Sequence, residues 1–552
     1  MIRFQRATWS LLAGALVLGA CSDPLDVENV NNPNVASVLR TPRDVETLTG
    51  RLYQNVNQAT LGFANSSIYP QMLTMGLENA SQLNNFGMGP RASIPRQAID
   101  NARGNSLQLE NQRNFQRGQN AAQTANAVLA RVSDSTFTIG SAAANARVTS
   151  FAYFGLGTAL GNVALTYDSA AVPARVATDS IAPLVGYKDV MAAAMANLDT
   201  AQSIAEASSF TLSIPGAWLA QNGDVSKANY IRIIRSYKAR FRAQVARDTT
   251  ERKATNWAQV IADASNGITS DFTLQLNPGT GWDYVWLVQH FTTGAGAWHT
   301  MTPYIIGMAD TTATRYNTWL ATPRDSRAPF LINTPDKRFP PGDTRAAQLA
   351  ASTLAATASG QYFRNRPPGE DVAGAAWGNS FYEHYRWRPL YDAQRIGTWV
   401  TFSKAENDMY AAEGHIRTGN FAEAARLINL SRTRASVGLP PVPVAGLGVP
   451  LPGAGCVPRV PDPAQAFIVT KCGDIFEAMK WESRMESAYA GYGVWYLNAR
   501  GWGDLPEGTA VHWPVPFQEA DARNIPFKNI GGVGQPGGAP PSVSYGFGTG
   551  NR

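Results

Sequence analysis

Five carboxylates, Asp283, Asp310, Glu370, Asp371 and Glu383, fall in or near a stretch rich in tryptophan and tyrosine. A glycoside hydrolase needs two such groups flanking a sugar, about 5–9.5 Å apart. The residue types admit that chemistry, but any chain of this length offers such pairs. The aromatics among them suit a different task, because sugar rings have apolar faces that stack on exposed aromatic planes while their hydroxyls need hydrogen-bond partners. In GWDYVWLVQHFTTGAGAWHTMTPY, residues 281–304, Trp282, Tyr284 and Trp286 alternate. One face of an extended segment would carry all three, either toward a ligand or, as a buried strand, toward the rest of the protein. Trp298 and His299 follow the glycine-rich GAGAW and are better candidates for exposure. Trp319 stands in RYNTWLATPRDSR and Trp377 in GAAWGNSFY, within the same region. Upstream, ENASQLNNFGMGPR places Asn84, Asn85 and Phe86 together, amides and a ring in a loop.

Other chemistries find no support. No Walker loop, zinc-protease helix, nucleophile elbow or Cys-x-x-Cys occurs. One G-x-G-x-x-G match, Gly532, Gly534 and Gly537 in GVGQPG, lies in a Pro-rich tail without the strand before and helix after that dinucleotide binding requires. The histidines at 290, 299, 384, 415 and 512 show no metal-ligand spacing. Neither a cofactor nor a metal is expected. The basic residues are spread along the chain without a dense run, so no nucleic-acid-binding stripe is expected either.

The chain starts MIRFQRATWSLLAGALVLGAC: two arginines, an apolar stretch from Leu11 to Leu18, then small residues. The stretch is too short for a stable membrane span and reads as a secretory signal. Leu18, Gly19 and Ala20 lead into Cys21 as in a bacterial lipobox, which predicts removal of residues 1–20 and a mature chain anchored through lipid on Cys21. Losing Arg3 and Arg6 with the signal lowers the formal charge from +6 to +4. Ser22 after the cysteine resembles an outer-membrane sorting signal. Cys456 and Cys472 remain, and an oxidising exported setting makes their pairing across a Pro-rich loop the expectation. By the chain-entropy argument such a bridge contributes about 3 kcal/mol.

The elements that must position these residues are mostly helices. Helix-like periodicity covers residues 42–60, 108–132, 141–162, 185–207, 226–248, 254–268, 399–437 and 474–500. In AAEGHIRTGNFAEAARLINLSRTRASVG, residues 411–438, apolar residues face one side of two helices around a tight turn. Gly419 ends the first and Asn420 caps the second, with Glu423 completing a capping box. Glu413, His415, Arg417 and Arg426 read as the solvated face. The spacing looks like a tetratricopeptide unit, which cannot bury its apolar face alone and so implies stacked neighbours. Between 270 and 398 the pattern changes to aromatic-rich, Gly/Pro-punctuated sequence, expected to form loops and short strands.

These pieces, in order, resemble the starch-utilisation D-type (SusD/RagB) outer-membrane lipoproteins over nearly the whole mature chain. ANARVTSFAYFGLGTALGNVALTYD and GYKDVMAAAMANLDTAQSI look like one helix pair of that family, and YIRIIRSYKARFRAQVARD with NWAQVIADASNGI like the next. The family's A-E-A...G...E-A...N-x-x-R-x-R-A pattern is carried by Ala412, Gly419, Glu423, Ala424, Asn429, Arg432, Arg434 and Ala435. Its C-terminal E-R-x-x-E helix is matched at Glu482, Arg484, Glu486, Ala488, Gly491 and Leu497. The chain departs from the family at Ala490, Gly493 and Tyr496, where charged residues are usual.

The resemblance implies a mainly α fold: tetratricopeptide-like hairpins forming a right-handed scaffold over about 42–268 and 399–530, a ligand-face insert over about 270–398, and a flexible Gly/Pro tail from 531 to 552, all one domain after residue 20. It implies no catalysis. It further implies a lipid-anchored protein facing the exterior at the outer membrane, binding glycans or other nutrients and passing them to a SusC-like TonB-dependent transporter. Ligand contacts are then expected from Trp298, His299, Trp282, Tyr284, Trp286, Trp319, Asn84 and Phe86. A surface glycoside hydrolase on a helical scaffold is the alternative.

Overall fold

The apolar periodicities become helices whose lengths follow the sequence closely. In the computed structural model, residues 39–61, 67–81, 87–175, 181–286, 299–369, 375–453 and 455–549 are described. Among them the helices of nine residues or more are α1 (Pro42–Leu61), α2 (Gln108–Val132), α3 (Ala142–Thr166), α4 (Tyr187–Glu206), α5 (Lys227–Gln244), α6 (Trp257–Ser265), α7 (Lys404–Arg417), α8 (Phe421–Arg432), α9 (Ile475–Ser487) and α10 (Val494–Trp502). Ser141, Ser226, Asn256 and Ser403 cap four of them, each side chain accepting from the backbone N–H three residues on. Each thereby satisfies a donor that a helix start leaves without an intrahelical partner.

Successive helices pack on one another: α2 on α3, α3 on α4, α4 on α5, α5 on α6 and, across the insert, α6 on α7 and α7 on both α8 and α9. The fold is mainly α, as the periodicities predict. Helix α3 is long and apolar enough to cross a membrane, but its apolar surface is covered by α1, α2 and α4, which makes it the centre of the scaffold. Close approach there needs small residues. A β-carbon at Gly157 would stand 2.8 Å from Leu198 Cγ and 3.0 Å from the Ala194 carbonyl oxygen on α4.

Short strands form two-stranded antiparallel ribbons: β1 (Asn79–Ser81) with β5 (His299–Met301), β2 (Ser169–Ala171) with β3 (Leu184–Gly186), β4 (Phe272–Leu276) with β8 (Gly397–Phe402), β6 (Phe363–Asn365) with β7 (Tyr382–His384), and β9 (Arg459–Pro461) with β10 (Thr470–Cys472). The β4–β8 ribbon pairs Phe272 with Phe402 and Leu276 with Gly397. It is the neck of the insert: the chain leaves the scaffold along β4 and returns along β8. Cys456 and Cys472 are joined in a disulfide that ties the Pro-rich loop to β10.

Several expectations need correction. Residues 399–402 continue β8 instead of starting a helix, since Thr398 to Phe402 is a β-branched and aromatic run that pairs with β4. The 474–500 segment is two helices. Tyr489, Gly491 and Gly493 all take positive φ, at +50°, +67° and +59°, and no helix propagates through left-handed residues. The tail from 531 is packed: the Ala539 N–H donates to Thr509 O at 2.7 Å, Tyr545 and Phe547 are buried, and the Phe547 ring lies 4.5 Å from that of Tyr304. Its glycines serve tight turns, not disorder. Glu413, expected on a solvated face, is buried, with Arg252 Nη2 2.5 Å and Arg417 Nη2 2.8 Å from its carboxylate and Trp502 Nε1 donating to it at 3.0 Å.

Residues that carry the family motifs form a charge network that is buried except for Arg434 at its rim. Arg338, from the insert, reaches Asp336 at 2.7 Å, Glu482 at 2.9 Å and Glu486 at 2.9 Å. Arg434 approaches Glu486 at 2.6 Å and Arg432 approaches Glu482 at 3.6 Å, while Ser431 Oγ and Trp481 Nε1 donate to Glu482 and Asp336. Three guanidiniums face three carboxylates, so the cluster is neutral. Burial alone would push the Glu486 carboxyl up, but Arg338 and Arg434 outweigh it and hold it below the usual carboxylate range. The network clamps the insert, the end of α8 and α9 together. The departures at Gly493 and Tyr496 lie outside it: a β-carbon at Gly493 would press on Met72, and the Tyr496 hydroxyl donates to Ala510 O at 2.6 Å.

Candidate ligand face

Directly after β4 the insert passes over the scaffold, and its alternation is real: Trp282, Tyr284 and Trp286 are buried while Asp283 and Val285 are half-buried. The shared face points inward. Trp282 packs against Tyr53 of α1 at 6.2 Å, and Tyr284 packs against Trp399 of β8 at 4.8 Å while its hydroxyl meets that of Tyr69 at 2.9 Å. Trp319, on the short helix Thr314–Ala321, lies edge-on to Tyr304 at 4.9 Å with the Arg327 guanidinium 4.1 Å above its ring. It is 3% exposed. Trp377 is buried as well, 5.7 Å from Tyr304. For Trp282, Tyr284, Trp286 and Trp319 the expectation of a ligand contact is therefore corrected: all four are buried, Trp282 and Tyr284 hold the insert on the scaffold, and Trp319 packs within the insert. Burying a large ring is worth more than a half-wetted sheet face would gain, and a segment anchored at the neck has the helices directly beneath it.

Asn84, Phe86 and Trp298 lie outside the described residues, as do Cys21, Glu370, Asp371 and the side chain of His299. The backbone nevertheless pairs the described ends that flank two of the candidate segments. In the β1–β5 ribbon Ser81 pairs with His299, so the described ends from which 82–86 and 287–298 continue are neighbours. Thr300 Oγ1 donates to Gly378 O at 2.7 Å, which adds the segment that follows residues 370–374. Three chain segments far apart in sequence thus meet at one end of the insert.

The described carboxylates proposed for hydrolysis are all engaged. Asp283 accepts from Arg395 Nε at 2.8 Å, and Glu383 pairs with Arg364 and Arg366. Asp310 is buried and accepts from the Thr312 hydroxyl at 2.7 Å and from the N–H groups of Tyr316 and Asn333. Among the described residues no three His, Cys, Asp or Glu side chains gather as a metal site. His384 is buried, stacked 4.7 Å from Tyr489. Burial and the nearby Arg247 and Arg500 guanidiniums push His512 down to about 2, so it is neutral at any physiological pH.

Sequence reasoning missed a groove of about 870 Å³ along α2, walled on the other side by Ala171, Pro173 and the segment from Pro516 to Arg523. Its signal was legible. Gln112, Gln116, Gln119, Gln123 and Asn126 recur at spacings of four, three, four and three, but periodicity had been read only for the apolar residues of that helix.

A helical-hairpin scaffold with a neck-tied aromatic insert defines the class: an α-helical platform with one long insertion. Its fold is SusD-like. No protein-family model and no curated protein matches the sequence. Solved structures do match in fold. A SusD superfamily protein from Parabacteroides distasonis ATCC 8503 superposes with a TM-score of 0.56 at 11% identity, covering 88% of this chain and 98% of that one. A SusD superfamily protein from Bacteroides vulgatus ATCC 8482 gives 0.54 at 15% identity, covering 88% and 97%. A SusD-like carbohydrate binding protein from Bacteroides fragilis NCTC 9343 gives 0.50 at 14% identity, covering 84% and 87%. At such identities the likeness is one of fold.

Proposed function

We propose that the protein binds carbohydrate at the outer surface of the outer membrane, where it is lipid-anchored through Cys21, and delivers it to a SusC-like TonB-dependent transporter. The observation that carries this reading is the SusD-like fold over nearly the whole chain, shared with a protein described as carbohydrate-binding. The pairing of Ser81 with His299 supports a ligand face at that end of the insert, to which Asn84, Phe86, Trp298 and His299 are assigned. Binding without turnover is the expected chemistry, since the described candidate carboxylates are spent on arginines and backbone N–H groups.

The test is affinity purification of C-terminally tagged full-length protein from detergent-solubilised envelope. A stoichiometric transporter with a TonB-dependent plug is expected; recovery of this chain alone, under conditions that preserve other envelope complexes, would count against delivery. For the ligand face, Trp298→Ala is expected to weaken glycan binding by about 1–3 kcal/mol with an unchanged melting temperature. Release of reducing ends from a polysaccharide panel would replace this reading with the hydrolase.

A further inference from the structure

The amide-lined groove along α2 is remote in sequence from the insert, and nothing above gives it a task. Its lining is mostly amide and apolar, with Arg175, Glu519 and Arg523 as its charged members, and the Arg175 guanidinium donates to the Tyr153 hydroxyl at 2.5 Å. Gln116, Asn120 and Gln123 are exposed and Gln112 is half-buried, and none of the four makes a side-chain hydrogen bond to any described residue. Gln119 and Asn126 are buried and already fixed, donating to the carbonyls of Ala171 at 3.2 Å and Pro173 at 2.8 Å. They hold the far wall in place. From that wall Gln518 donates to Gln108 Oε1 at 3.0 Å, while its own Oε1 is buried and has no partner. A buried acceptor without a donor costs about 1–3 kcal/mol. The cation beside it is committed: Arg523 donates to Glu519 at 2.7 Å and to Ala182 O at 2.5 Å.

We propose that this groove is a second carbohydrate subsite, taking an extended glycan chain. An amide offers a donor and an acceptor at one tip, the pairing a sugar hydroxyl needs. The spacing favours sugars over peptide. The free amides Gln112, Gln116, Asn120 and Gln123 step by four, four and three residues, close to the helical period, so the row stays on one face and spans about 16 Å with one amide per roughly 5.5 Å of helix axis. That step is close to the length of one pyranose unit in an extended chain. A peptide strand presents equivalent groups every two residues, about 6.7 Å, and drifts out of phase within two or three steps. The walls of Ala171, Pro173 and Pro516 supply apolar surface for ring faces. The assignment rests on the carbohydrate-binding reading above and adds a subsite to it.

The experiment titrates the full mature chain with β-1,4-linked gluco-, xylo- and manno-hexaoses by calorimetry, comparing wild type, Gln116→Ala/Gln123→Ala, Ala130→Trp and Trp298→Ala. Two binding events per chain are expected with a hexaose that binds. The double amide variant should weaken one of them about tenfold, and Ala130→Trp, which fills the groove, should abolish that one, both leaving the melting temperature unchanged. Trp298→Ala should affect the other event. If wild type binds a hexaose and both groove variants match it, the subsite is overturned while the carbohydrate reading stands. If wild type binds no glycan, both fail. If the amide-dependent ligand proves to be an extended alanine-based peptide, the glycan assignment is overturned.

Discussion

The two halves of the scaffold are held together by different forces. Around α3 the contacts join helices on the N-terminal side of the insert, and they are apolar: Gly157 against Leu198, Gly155 against Leu52, and the aromatic group of Phe151, Phe154 and Tyr230. Where segments separated by the insert meet, the joints are buried ion pairs. Arg240 of α5 reaches Glu406 of α7 at 2.8 Å, Arg252 reaches Glu413, and Arg338 reaches Glu482 and Glu486. Apolar burial is strong but undirected, which suffices for helices whose partners lie nearby along the chain. A buried ion pair contributes little net energy but is costly to mismatch. We therefore attribute register between distant segments, including the seating of the insert, to the charged joints.

The comparison is most easily broken at Arg338. Replacing it with alanine leaves Asp336, Glu482 and Glu486 buried with two remaining guanidiniums, and should cost about 3–5 kcal/mol in urea unfolding. A loss below about 1 kcal/mol would mean that the network is not a joint at all.

Two buried carboxylates sharpen the same contrast through pH. Glu413 is pushed up by burial but drawn down further by Arg252 and Arg417, to about 2. Its contribution is present above its ordinary value of 4.5 and is lost as pH falls toward about 2. Glu78 has no cation among the described residues: burial raises it to about 8, offset by the Tyr489 N–H that donates to it at 2.6 Å. Its folded state holds a proton that the unfolded chain releases, so its contribution is full below 4.5 and is lost as pH rises through about 8. Glu78→Gln should therefore stabilise the protein at pH 9, on the order of 2–4 kcal/mol, and leave it unchanged at pH 4. Equal shifts at both pH values would show that the effect is packing and not titration.

On the apolar side, Gly157→Val should destabilise by about 1–3 kcal/mol, because the added carbons meet Leu198 and the Ala194 backbone in a packed interface. Ligand binding at the insert end, far along the fold, should not change. If Gly157→Val instead costs as much as Arg338→Ala, the two halves do not differ in the way argued here.

What was legible in the sequence follows the same division. The helices and their order were, since a 3.6-residue apolar period is local information: 108–132 matches α2 to the residue. The break at Tyr489 was not, because a left-handed tyrosine is held there by Glu78, some four hundred positions away. The insert aromatics were recognised as alternating, but the direction of their shared face depends on Tyr53, Tyr69 and Trp399 beneath them. Glu413 reads as a surface residue until Arg252 and Trp502 are placed against it. Exposure is a property of the assembled fold, and motif residues whose partners are distant cannot disclose it.

The smallest effect tests the hairpin turn. S-x-x-E logic predicts a reciprocal box between Asn420 and Glu423, but only half of it forms. Asn420 Oδ1 accepts from the Glu423 N–H at 3.3 Å, whereas the Asn420 N–H donates to His415 O at 2.8 Å and the Glu423 carboxylate turns to Arg426 at 2.6 Å. The helix end of α7 has taken the donor that Glu423 would have satisfied, through the left-handed Gly419 at φ +81°. Asn420→Ala should then cost about 1 kcal/mol by uncapping α8. Glu423→Gln should cost only the few tenths of a kcal/mol of an exposed ion pair, and less in high salt. Equal losses would restore the full box in solution and make the turn a reciprocal cap; the expected inequality makes it a joint in which one helix terminates the other.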